Sequence, residues 1–310
     1  MASLTGGKRF SKLDLTSAYQ QMLLDESSSK LVTINTHQGL YQFTRLPFGV
    51  ASAPAVFQRA MDTILQGVPG VICYLDDILV TGKSDGEHFH NLEEVLKRLQ
   101  HHGVRLRKDK CHFLKESVEY LGHQIDETGV HTSPQKVKAV VDAPSPRTIQ
   151  ELRSFLGLLN YYARFLPNLA STLHPLHALL CQDQPWQWSD LCEQAFQAAK
   201  QKLVEAPVLA HYNPEHPIVL AGDASAYGIG AVISHKLPDG SERPVAYASR
   251  TLTKSERNYA QVEKEALSLV FSVRKCHQYL YGHSLTILTD HKPLKAILGP
   301  KKHIPPLAAA

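Results

Sequence analysis

Between Val71 and Gly82 two β-rich runs, VICYL and ILVTG, are separated by only two residues, and both of these, Asp76 and Asp77, are acidic. A link that short places the runs side by side as an antiparallel hairpin. Hairpin tips prefer Asn-Gly or Asp-Gly, and adjacent like charges repel, so an Asp-Asp tip carries a conflict that a divalent cation would remove. An isolated Asp-Asp pair is ordinarily a solvated turn. Here the flanking runs are apolar enough to need a core sheet, and another strand-like run carries Asp14 between Leu13 and Leu15. Where such strands are neighbours, three carboxylates converge on one exposed sheet end. An all-oxygen set with room for phosphates suits magnesium, and two such ions about 4 Å apart serve in-line phosphoryl transfer.

The surrounding pattern supplies the sheet. Phe10 to about Leu24 predicts a strand turning into a short helix, followed by a loop at Asp25 to Ser29. LVTINT and LYQFTRL then form a hairpin through His37, Gln38 and Gly39. After the break LPFGVASAP, residues Phe57, Ala60, Met61, Ile64 and Leu65 recur at helical spacing until Gly67. A helix from about Gly86 to His102 turns Leu92, Val95, Leu96 and Leu99 inward, and strands follow around Arg105 and from Val118 to Ile125. The Pro-rich joint APSPRT leads into a helix opened by Thr148 and Glu151 as a capping box. From Pro217 three strand-like runs, a long helix from about Ser255 to Leu280 and a fourth strand, SLTILTD, give the order β-β-β-α-β, an α+β or α/β unit. The 310 residues accommodate a division into 1–130, a helical 131–207 and 208–310.

The last part has acids of its own. Asp223 ends the first strand in LAGDAS, Asp290 ends the fourth in ILTD, and the helix between them offers Glu263 and Glu265. Val262, Ala266, Leu269 and Val273 define the inward face; Glu265 borders it, whereas Glu263 points about 100° away from Val262. Glu265 is therefore the expected member of the set.

Several classes are excluded. No stretch approaches the roughly 18 consecutive apolar residues of a membrane helix, and MASLTGGKRFSKLDL lacks the apolar region of a secretory signal, so cytosol, including a virus-like particle, or nucleus is expected rather than secretion. Five scattered cysteines without a CxxC pair indicate neither a disulfide framework nor a zinc ribbon. A net charge of +4 is too mild to establish nucleic-acid binding, although Arg105, Arg107, Lys108 and Lys110 crowd one segment and Lys292, Lys295, Lys301 and Lys302 another.

In order along the chain, FSKLDLTSAYQQ, LPFGVASAPAVFQ, YLDD and YLGHQI resemble the successive palm motifs of reverse transcriptases, in the wording of gypsy-type LTR retrotransposons. The resemblance implies that Asp14, Asp76 and Asp77 are polymerase metal ligands, with the Leu15 carbonyl as a further one. It places Tyr19 at the steric gate that rejects a ribose hydroxyl, and the turn Leu46, Pro47, Phe48, Gly49 against incoming nucleotide and template. Tyr120, Leu121, Gly122 and His123 fall on the primer grip. Lys110 stands where a proton donor to pyrophosphate would, an ordinary phosphate-contacting or solvated lysine being an equal reading. GDASAYGIGAVIS, RPVAYASRTLTKSERNYAQVEKEAL and YLYGHSLTILTDHKPL look like the ribonuclease H domain of the same elements, and RTIQELRSFLGLLNYYARFLPNLA resembles their connection.

What this implies is a palm over 1–130 with fingers largely missing, a helical connection over 131–207, and a ribonuclease H-like mixed sheet over 208–310, truncated ahead of a fourth acid. Expected cofactors are two magnesium ions per site, with manganese able to substitute; expected partners are RNA and DNA template-primer, RNA–DNA hybrid and dNTPs, with no membrane. A chain without the fourth acid is expected to cleave hybrid weakly in magnesium. The competing expectation is an inactive or host-retained fragment that only binds nucleic acid.

Overall fold

The computed structural model describes residues 4–181 and 185–298, so Lys301 and Lys302 lie outside the described residues. The chain divides into two compact units, Met1–Thr128 and Gly129–Ala310. The helical segment expected as a separate connection thus shares one unit with the C-terminal sheet.

The first unit runs β1 (Arg9–Asp14), a 3-10 turn at Ala18–Gln21, α1 (Glu26–Leu31), β2 (Thr33–Thr36), β3 (Gly39–Gln42), α2 (Ala53–Leu65), β4 (Val71–Tyr74), β5 (Asp77–Gly82), α3 (Asp85–His101), β6 (His112–Lys115), β7 (Ser117–Tyr120) and β8 (His123–Asp126). Its main sheet has the order β4-β5-β1-β6. Leu13, Ile78 and Val80 on the sheet pack with Phe57 and Met61 of α2 and with Leu92, Val95 and Leu99 of α3, all buried. Leu96 instead sits at the rim, 36% exposed, because His88 and Asn91 share the inward face. Both are used: the His88 ring lies 2.8 Å from Ser11 Oγ, and Asn91 Nδ2 donates to the Thr81 carbonyl.

Two local expectations are corrected. The loop at Asp25 to Ser29 is helix, because the Asp25 carboxylate accepts the Ser28 N–H at 2.6 Å as an N-cap and Lys30 pairs with Glu26 one turn away. Around Arg105 only Leu106 bridges to Leu15; the charged run at Lys108–Lys110 folds into a 3-10 turn, and the strand pairing with β1 is displaced to β6.

The second unit contains β9 (Gly129–Thr132), α4 (Pro134–Val141), α5 (Ile149–Tyr161), α6 (Leu169–Thr172), α7 (His174–Ala178), α8 (Asp190–Val204), β10 (Ile218–Ala224), β11 (Gly228–Lys236), β12 (Glu242–Thr251), α9 (Lys254–Arg257), α10 (Gln261–Lys275), α11 (His277–Leu280), β13 (Leu285–Leu288) and α12 (Lys292–Leu298). Thr148 caps α5 through the Glu151 N–H, while the Glu151 carboxylate reaches back to the N–H of Arg147 rather than of Thr148. The sheet order is β12-β11-β10-β13, antiparallel except for the parallel pair β10–β13, the mixed arrangement expected of a β-β-β-α-β chain.

The single long helix expected from Ser255 is three. Thr253 and Glu256 form a capping box that ends with α9, and α10 begins afresh at Gln261. Its buried face is also shifted, to Glu265, Ser268, Leu269 and Ser272, with Val273 38% exposed. Small serines are needed because the Gly222 backbone of β10 passes so close that a Cβ there would lie 2.8 Å from Ser268 Oγ.

Candidate active sites

The antiparallel register of β1 and β5 sets Asp14 directly opposite Asp77. Asp76 is exposed in the connecting turn. Tyr74 pairs with Asp77, so the two turn residues are Leu75 and Asp76, one position earlier than the sequence suggests. Leu75 takes φ +53°, a left-handed conformation that costs a β-carbon residue about 1–3 kcal/mol. The side chain of Gln58 holds it there: Oε1 accepts the Leu75 N–H at 2.7 Å, and Nε2 donates to the Cys73 carbonyl at 3.0 Å. A further stitch joins the hairpin to the neighbouring strand, since the Leu15 N–H donates to the Asp76 carbonyl at 3.0 Å. Gln58→Ala is expected to destabilise the chain by about 1–3 kcal/mol through the orphaned Leu75 N–H, read as a lower urea midpoint at unchanged slope.

Like charges directly opposite each other in a sheet are unfavourable. Two lysines offset them: Lys12 Nζ lies 3.1 Å from Asp77 Oδ1, and Lys110 Nζ lies 3.9 Å from Asp14 Oδ2. Lys12 escaped the sequence reading, although it precedes Asp14 by two residues and therefore shares its face of β1. Burial, together with the charges of Asp62, Asp76 and Asp77, pushes the neighbouring Cys73 thiol up to about 12, so it stays protonated and inert.

The other motif residues gather around this hairpin or its support. The Tyr19 ring packs 5.5 Å from both Phe48 and Phe57. Leu46 and Pro47 are buried, Phe48 is 66% exposed, and the Leu46 N–H is tied to the Met22 carbonyl. Gly49 has φ +88° with open space where a Cβ would stand, so its backbone conformation rather than crowding calls for glycine. Tyr120 to His123 closes a tight turn with Leu121 and Gly122 both at positive φ. The Tyr120 hydroxyl donates to the Asp77 carbonyl at 3.4 Å, and burial followed by nearby acidic groups pushes its pKa up.

In the second unit Asp223 lies exposed on β10, Asp290 lies exposed just after β13, and Glu265 is only 5% exposed on α10. Gln261 Nε2 donates to Glu265 Oε1 at 2.8 Å, while Oε2 is buried without a hydrogen-bond partner. Burial, reinforced by the charges of Asp223 and Asp290, pushes the Glu265 carboxyl up, which ties the three acids together electrostatically. Glu263 is exposed and spent on the start of α10, where it accepts the Ala260 N–H at 2.7 Å.

Among the described residues no group of three or more His, Cys, Asp or Glu side chains is gathered closely enough to hold a metal ion. The donor chemistry nonetheless fits a hard cation. At the first site all three candidate ligands are carboxylates, two of them opposed in register; at the second an orphaned, buried carboxylate oxygen belongs to a side chain that feels the charges of two further acids. Among the described residues no helix is long and apolar enough to cross a membrane.

The family pattern described as reverse transcriptase (RNA-dependent DNA polymerase) matches residues 1–125, and the one described as an RNase H-like domain found in reverse transcriptase matches residues 188–287. Over 313 residues the chain is 38% identical to the retrovirus-related Pol polyprotein from transposon opus of Drosophila melanogaster, covering 96% of this chain and 31% of the relative. It is 36% identical to that from transposon gypsy of the same species, covering 95% of this chain and 29% of the relative. The chain therefore spans about a third of the curated relatives it matches. Among solved structures, a foamy viral protease-reverse transcriptase in complex with RNA/DNA hybrid aligns with a TM-score of 0.82 and 26% identity over 96% of this chain and 41% of that one. The same viral protein in complex with dsDNA aligns with a TM-score of 0.83 and 25% identity, covering 97% and 64%.

Proposed function

Because this chain belongs with the reverse transcriptases of retrovirus-related Pol polyproteins, carrying their polymerase domain and an RNase H-like domain behind it, we propose that it contributes two separate phosphoryl-transfer sites to such a polyprotein. The first extends a DNA primer on an RNA or DNA template with dNTPs; the second cuts RNA in an RNA–DNA hybrid. The observation that carries this reading is that Asp14 on β1 faces Asp77 beside the turn that carries Asp76, while Asp223 on β10, Glu265 on α10 and Asp290 just after β13 form a second set in the other unit.

Two magnesium ions at each set, or manganese in their place, would supply Lewis-acid activation of the attacking oxygen and charge neutralisation at the phosphoryl group. Asp14, Asp76 and Asp77 would hold them in the first unit, and Asp223, Glu265 and Asp290 in the second. Lys12 balances Asp77. Lys110, 54% exposed and within reach of Asp14, has the charge and freedom to meet a phosphate. Phe57 and Phe48 brace the Tyr19 ring, which makes it a rigid wall beside an incoming sugar. Tyr120 links the YLGH turn, as primer grip, to the backbone of Asp77.

Primer extension and hybrid cleavage measured on one preparation test the reading; binding of template-primer without either activity would establish a non-catalytic nucleic-acid binder instead. Tyr19→Val is expected to raise ribonucleotide over deoxyribonucleotide incorporation by roughly 10–200-fold, since the substitution removes a clash rather than a ligand. An unchanged incorporation ratio would remove Tyr19 from the gate.

A further inference from the structure

The geometry points to Asn168, in the segment ahead of the RNase H-like domain, as a positioning residue for Asp223, admitted to the sheet by the glycines of GIG; this rests on the hybrid-cleavage reading above. Asn168 stands immediately before α6 with φ +51° and ψ +35°, yet its side chain does not cap that helix. Asparagine at such a place ordinarily turns its oxygen to the helix N–H groups. Here Nδ2 instead donates to Asp223 Oδ2 at 3.3 Å.

The sheet is cut to receive it. Asp223 of β10 is register partner to Gly230 of β11, and a Cβ on Gly230 would collide with Asn168 Oδ1. A Cβ on Gly228, two residues earlier, would lie 3.1 Å from Ser171 Oγ and equally close to the Arg250 carbonyl of the neighbouring strand, so Gly230 is the notch that Asn168 alone fills. Three contacts seat the segment: Asn168 on Asp223, the Ala170 N–H on Ser249 Oγ at 3.0 Å, and Ser171 Oγ against Ser225 Oγ at 2.8 Å. Beside them lies a cavity of about 140 Å³ bordered by Pro167, Asn168, Gly222, Asp223, Gly230 and Tyr247. YGIG therefore has a mechanical meaning: alternate positions on β11 are emptied so that a polar side chain from a distant part of the chain can orient an exposed carboxylate. A neutral amide donor suits this task, because it directs one oxygen of Asp223 without cancelling the charge needed for a cation.

The test pairs two readouts on the full chain. Asn168→Gly keeps the left-handed backbone and deletes the amide. It is expected to raise the magnesium concentration that half-saturates hybrid cleavage roughly tenfold, with the thermal midpoint little changed. Gly230→Ala, which displaces the amide from the other side, should reproduce the shift. Independently of metal and activity, the side-chain amide resonances of Asn168 in the metal-free protein should move on Asp223→Ala and stay unmoved on Asp290→Ala. Wild-type magnesium dependence in Asn168→Gly, or amide signals indifferent to Asp223→Ala, would overturn the assignment. A wild-type chain that never cleaves hybrid would instead sink the functional reading, and the amide signals would still decide whether Asn168 holds Asp223.

Discussion

Asp76→Asn or Asp77→Asn, carried in a longer Pol polyprotein, is expected to abolish DNA synthesis by about 10²–10³-fold or more while hybrid cleavage persists. The expectation follows from the separation of the two carboxylate sets into different units, each built around its own sheet. The two substitutions also differ from each other. Asp76 is exposed in the turn, so its replacement removes charge and little else. Asp77 is bridged by Lys12 at 3.1 Å and opposes Asp14, so its replacement also frees a lysine next to the remaining acids. Primer extension and hybrid cleavage on the same preparations check the result; near-normal extension by both variants would remove the hairpin from the polymerase site.

Glu265→Gln is expected to eliminate hybrid cleavage to a similar degree while leaving the metal-free fold as stable as before, or more so. The raised pKa of Glu265 sets the sign. An acid whose folded pKa lies above its unfolded value penalises the folded state once pH exceeds the folded pKa, and the penalty vanishes below the unfolded one. Metal-free wild type should therefore gain stability, from this group, as pH falls from neutral through the raised pKa toward 4.5. The glutamine variant should lack that increment, because a neutral amide pays no such desolvation cost. Denaturation midpoints for both proteins at neutral and mildly acidic pH isolate the contribution of Glu265 together with its coupling to Asp223 and Asp290, since groups remote from the three acids titrate alike in the pair. Identical pH dependence would show that Glu265 is not held in the buried, acid-flanked position described.

Much of this was legible in the chain because each signal was local. The two apolar runs around Asp76 and Asp77 are linked too tightly for anything but a hairpin, and helical spacing distinguishes Glu265 from Glu263 even though the buried face of α10 lies to one side of the one expected. Elements set by capping were less visible. The Asp25 cap that starts α1, and the break between α9 and α10, depend on individual side-chain bonds that hydrophobic periodicity does not register. The supporting residues were hidden for a different reason. Gln58 lies 17 residues from Leu75, and Asn168 lies 55 from Asp223, so neither pairing has a spacing that a one-dimensional pattern can encode. The glycines at 228 and 230 were the one available clue, since paired glycines inside a strand announce that another part of the chain comes close.

The seating of Asn168 to Ser171 on the sheet also redraws the seam along which the RNase H-like half could be exchanged. A chimera joined at Pro207 would inherit Gly230 as an empty notch, and Asp223, Ser225 and Ser249 would lose their partners in the absent segment. One joined ahead of Tyr162 would bring its own keystone. The transplantable cassette thus begins well upstream of β10, and the end of what reads as a helical connection in the sequence is the part that a graft can least do without.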